Sequence, residues 1–189
     1  MGQGRLPSDD GAERELDAEW GDGGAELPLP QGVPQDAVRQ ERPAARSDRG
    51  LLTSARSKAR RAAVELLFEA EQRGLNAGVL VEQRIAAPTT QTPLRQYTID
   101  IVRGVVASWA TIEEIIATYS RGWQISRMPA VDRAILRVAT WEIIHNDDVP
   151  AAVAVSEAAT IAKVLSTDES PAFVNGLLSR IAEVAPTLR

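Results

Sequence analysis

VDRAILRVATWEIIHN, residues 131–146, carries apolar side chains around most of a helical circumference. Ile135, Leu136, Val138, Ala139, Trp141, Ile143 and Ile144 cannot share one stripe of a 3.6-residue helix, so the segment predicts a helix buried on most sides. Such a helix needs neighbours on several faces, and the flanking sequence supplies them. Pro129 starts it, and Val149–Pro150 separates it from a helix over 152–166 with Val155, Ala158, Ile161, Ala162 and Leu165 inward. Ser170–Pro171 then offers a capping hydroxyl and a first-turn proline for a last helix carrying Phe173, Val174, Leu177, Leu178 and Ile181, which Pro186 is expected to end. Upstream, Leu94, Tyr97, Ile101, Val105, Trp109, Ile112, Ile116 and Tyr119 step by three or four residues. That spacing predicts one long amphipathic helix opened by Thr92–Pro93 and broken by Gly122. Residues 55–73 place Val64, Leu67, Phe68 and Glu71 on neighbouring turns before the stop at Gly74, and a weaker helix covers 76–87. No stretch alternates with period two. The reading is all-α, with six or seven helices and no sheet.

Composition narrows the function. Hydrophobic residues make up 44% of the 189, enough for one core. The absence of Cys removes disulfides, thiolate metal sites and Cys nucleophiles, and fits a reducing cytoplasm. The one histidine, His145, leaves no His cluster for a metal, and at a helix C-terminus it favours the helix dipole. No window approaches the roughly 18 apolar residues a membrane span needs, and the N-terminus lacks the apolar region of a secretory signal. The acid pairs Glu113–Glu114, Asp147–Asp148 and Asp168–Glu169 are sequence neighbours, which a helix splays about 100° apart. They cannot flank a substrate as acid and base. No phosphate-cradling Gly loop is present either, so no enzyme chemistry, metal or cofactor is expected.

Charge is distributed unevenly. Residues 1–50 hold 6 basic and 11 acidic side chains, whereas 51–189 hold 15 of each. The first 50 residues, with five of the eleven Pro, much Gly and few large apolar groups, read as a disordered extension, acidic and then basic. The chain therefore divides into that extension (1–50) and one helical domain (51–189). Within the latter, Arg56, Lys58, Arg60 and Arg61 occupy the first two turns of the first helix. A helix N-terminus favours acids, so four cations there call for an anionic partner, and phosphates would supply one.

Four segments carry a family resemblance: ARSKARRAAVELLFEAEQRG (55–74), RGWQISRMPAVDRAILRVATWEI (121–143), VPAAVAVSEAATIAKVLS (149–166) and SPAFVNGLLSRI (170–181). In order and spacing they resemble the NusB family of bacterial transcription antitermination factors, most of all its actinobacterial members, over 55–183. The resemblance implies two perpendicular three-helix subdomains. It further implies binding of boxA RNA in nascent ribosomal RNA leader transcripts together with NusE, a small-subunit ribosomal protein. Through NusA, NusG and RNA polymerase, that complex would support processive transcription of ribosomal RNA. By position, the family's basic helix corresponds to Arg56, Lys58 and Arg60. Ser57 stands where some members carry another Arg, with Arg61 as a substitute. Phe68, Glu169 and Phe173 correspond to positions near RNA, where aromatic faces stack on exposed bases. Asp132 corresponds to a position contacting NusE. Phe68 also fits the core, Ser170 a plain cap, and Gly176 a close helix crossing. Two alternatives accompany this reading: a homodimeric scaffold, and a stand-alone relative of the N-terminal domain of ribosomal RNA cytosine methyltransferases, which need a further cofactor-binding domain.

Overall fold

The computed structural model describes Leu52 and residues 54–89, 91–120 and 124–189. The expected disordered extension and the break at Gly122 lie outside those residues. Among the described residues there are seven α-helices and no strand: α1 (Ala55–Gln72), α2 (Ala77–Ala86), α3 (Gln96–Ala107), α4 (Trp109–Tyr119), α5 (Ala130–His145), α6 (Ala151–Leu165) and α7 (Ser170–Leu188). A 3₁₀ turn, Ile125–Arg127, leads into α5.

Two groups of helices meet on α5. α1, α2 and α3 pack on one another, as do α5, α6 and α7 with α4 against them, and α5 also packs on α1 and α3. Burial of Ala134, Ile135, Leu136, Val138, Ala139, Ile143 and Ile144 follows from that central place. The stop after α1 works as its sequence suggests. Gly74 adopts φ +62, letting its N–H bond Glu71 O and the Leu75 N–H reach back to Ala70 O at 2.8 Å. Asn76 then caps α2, its Oδ1 accepting from the Gly78 and Val79 N–H groups.

Four local expectations change. The long helix is two, because the backbone bends at Ser108 (φ −108, ψ 20). Continued straight, the stripe through Val105 would bury Trp109; after the bend α4 buries Ile112, Ile115 and Ile116, and Trp109 stays 39% exposed. α3 begins at Gln96 with Arg95 as its cap residue, three positions beyond Pro93. Ser170 is the first residue of α7 rather than its cap, because its hydroxyl turns inward to a carboxylate. Pro186 sits inside the last turn of α7, where few helical bonds remain for a proline to disrupt.

The crossing glycine is also a different one. A Cβ on Gly176 would meet nothing nearer than Arg180 Nη1 at 4.0 Å, so no helix crosses there. On Gly104 of α3 a Cβ would fall 2.6 Å from Cζ2 of Trp141 and closer still to its Nε1. The indole of α5 lies in the space this glycine leaves.

Candidate nucleic-acid interface

α1 opens without any acid in its first turn, capped by Ser54, whose Oγ accepts the Ser57 N–H at 2.9 Å. The Ser57 side chain is buried and bonds Ser54 Oγ at 2.8 Å. Arg56 and Lys58, on either side of Ser57, are exposed. Both cations face solvent.

Arg60 departs from the expected bank of four. Its residue is 3% exposed. Its Nε donates to both carboxylate oxygens of Glu142 at 2.9 Å, and Nη1 lies 3.2 Å from Glu157 Oε2. A guanidinium committed to two carboxylates inside the fold is not available to RNA phosphate. Burial works to lower the Arg60 pKa, but the adjoining Glu142 carboxylate more than reverses this and holds it above its ordinary value. Burial pushes the Glu142 carboxyl above the usual carboxylate range, against the pull of Tyr97 and Arg60. Arg61 is half-exposed and paired with Glu65 one turn on, at 2.8 Å. Such exposed pairs hold weakly, so Arg61 can be released to another anion.

Tyr97, at the start of α3, completes the cluster. Its hydroxyl donates to Glu142 and accepts from Asn146 Nδ2 at 3.1 Å, while the Arg56 and Arg60 Cζ atoms lie 5.5 and 5.8 Å from its ring centroid. Burial, then the bond to Glu142, keeps this phenol protonated far above neutral pH. Sequence reading placed Tyr97 in an apolar stripe and missed Glu142 and Glu157 as partners. One signal was available: an acid on a helix that is apolar on most sides requires a buried cation.

The remaining residues gather around the α6–α7 turn or on the face of α1. Glu169 is exposed at the cap position of α7, with no side-chain cap bond. Phe173 is half-buried against the core, and so is Phe68. Asp132 is only 2% exposed, not a surface acid. Its Oδ2 accepts from Ser170 Oγ at 2.8 Å. With that one proton committed, Ser170 accepts from Ser166 and Thr167, at 3.0 and 2.8 Å. Asp132 Oδ1 is buried with no hydrogen-bond partner among the described residues.

On the other side of α1, Glu71 accepts from Arg133 and Arg137 of α5. Arg137 also bonds Glu113 at 2.7 Å and stacks on Trp109 at 4.4 Å. These groups line a groove of about 700 Å³, but its charges are satisfied internally. Among the described residues no three His, Cys, Asp or Glu side chains converge as a metal site. None of the described helices is long and apolar enough to cross a membrane.

The NusB family model matches residues 57–183. The chain belongs to the NusB family. Among its relatives, the transcription antitermination protein NusB of Beutenbergia cavernae is 51% identical over 144 residues, covering 72% of this chain and 94% of the relative. The NusB of Arthrobacter sp. (strain FB24) is 54% identical over 135 residues, covering 71% and 98%. Of the solved structures, T. maritima NusB superposes with a TM-score of 0.61 at 31% identity, over 69% of this chain and 92% of that one. A complex of the antitermination factors NusB and NusE with double-stranded RNA gives 0.60 at 25% identity, over 68% and 96%. The all-helical fold is that of NusB.

Proposed function

We propose that this chain is a transcription antitermination factor that captures boxA RNA in nascent ribosomal RNA transcripts together with NusE. Delivered through NusA and NusG to RNA polymerase, the complex sustains transcription of ribosomal RNA in the cytoplasm. The reading is supported by family membership and by the NusB–NusE–RNA complex among its structural neighbours. One structural observation carries the RNA contact: Arg56 and Lys58 stand exposed on an acid-free first turn. Cations at the positive end of a helix dipole are held there at a cost, and a polyphosphate removes it. Capture needs no covalent step, and the protein acts as a scaffold rather than an enzyme.

Glu169 and the half-buried Phe173 extend the proposed surface to the α6–α7 turn, and Phe68 adds an aromatic edge on α1. Asp132 contributes to NusE docking by fixing the start of α5 to that turn through Ser170. The test is binding to boxA-like and scrambled RNA, each with and without NusE, by fluorescence anisotropy across a salt series. A Arg56→Glu/Lys58→Glu variant is expected to lose roughly ten- to hundredfold in affinity, and its salt slope should fall by about 1.4, from ~0.7 per phosphate contact. Wild-type binding that ignores RNA sequence both with and without NusE would refute the boxA assignment.

A further inference from the structure

We propose that Tyr97 is a positioning residue for RNA capture: its ring holds the Arg56 guanidinium at the start of α1, ready for a phosphate. The inference rests on the RNA-binding reading above and adds to it a residue outside the basic helix. Among the described residues no carboxylate pairs with Arg56, so its charge remains available, and its guanidinium lies over the Tyr97 ring, 5.5 Å from Cζ to centroid.

The ring is placed without help from Arg56. Its hydroxyl is fixed between Glu142 and Asn146, and the next residue, Thr98, bonds the Ala59 carbonyl of α1 at 3.1 Å. A long side chain that otherwise samples many rotamers is thereby restrained near one site before ligand arrives. A guanidinium resting on an aromatic ring keeps its N–H donors at the edge, where they can still meet a phosphate. Lysine has no such planar fork.

A double-mutant cycle on the full chain tests this, reading affinity for fluorescein-labelled boxA-like RNA across a salt series. Arg56→Gln should weaken binding roughly tenfold, and Tyr97→Leu roughly three- to tenfold with a shallower salt slope. The double variant should bind no more weakly than Arg56→Gln alone. Tyr97→Phe, which keeps the ring but not the hydroxyl that fixes it, should bind RNA more tightly than Tyr97→Leu while melting below the wild type. Full additivity of Tyr97→Leu and Arg56→Gln overturns the proposal and leaves the RNA reading standing. Wild-type affinity in Arg56→Gln removes Arg56 from the interface and overturns both its role and the proposal. A measurement on the unaltered chain guards against a variant that fails to fold: the Arg56 Nε–H proton should resonate upfield of its random-coil position under the ring current. An unshifted resonance overturns the proposal.

Discussion

Arg60 meets Glu142 with 4% and 1% of their side chains exposed, and Glu157 adds a second carboxylate. Two charges removed from water gain little net stability over an apolar pair, but removing one strands the other. Arg60→Met is therefore expected to destabilise the fold by about 3–5 kcal/mol in urea unfolding. Arg60→Met/Glu142→Leu should recover part of that loss, since the fully buried carboxylate is gone and only the partly exposed Glu157 loses its cation. Equal destabilisation in the single and double variants would show that the site depends on shape and not on the pair. The same geometry governs how the basic helix is tested. A charge reversal at Arg60 would set three acids together in the interior, and lost RNA binding would then report unfolding. Arg56 and Lys58 are the positions at which charge can be changed without touching the core.

Among whole elements, the α3–α5 crossing turns on one missing side chain. Replacing glycine by alanine in a helix interior normally stabilises by about 1 kcal/mol. At Gly104 the added methyl would enter the Trp141 ring, and overpacking of this kind costs about 1–3 kcal/mol. The clash should win. Gly104→Ala is expected to lower the melting temperature, and Gly176→Ala, with open space around its Cβ position, to raise it. The opposite order would mean that α3 and α5 do not pack this closely. Sequence periodicity located α1, α5 and α6 to within a residue or two, because each has a continuous apolar face and a clear stop. It merged α3 with α4, since a bend at Ser108 without a side-chain cap leaves the spacing of apolar residues intact. It chose the wrong glycine for the crossing because the indole that needs the space lies 37 positions away along the chain.

Over the molecule as a whole, the central place of α5 was legible, but the charge network tying it to α1 was not. Arg133 and Arg137 reach Glu71 across 62 and 66 positions, and Arg60 reaches Glu142 across 82. No local pattern encodes such pairings, so a reading by composition counted as one basic surface what the fold splits into two exposed cations, one buried one and one paired one. These pairings also set how stability responds to acid. Burial tends to raise Glu71, but its bonds from Arg133 and Arg137 hold it below the usual glutamate value; Arg84 and then Arg73 do the same for Glu69. Carboxyls depressed in the folded state contribute stability above the ordinary glutamate pKa and withdraw it as pH falls through their lowered values. Glu142, raised by burial, runs the other way: the folded state takes its proton first, which favours folding as pH falls through that raised value. Acidification from pH 7 should therefore change the urea midpoint little at first and then lower it steeply below the ordinary glutamate range. Glu71→Gln should start less stable at pH 7 and show a shallower acid limb, while Glu142→Gln should lose the early plateau. An acid limb in Glu71→Gln as steep as that of the wild type would mean that the Arg133–Glu71–Arg137 bridge does not join α1 to α5 in solution.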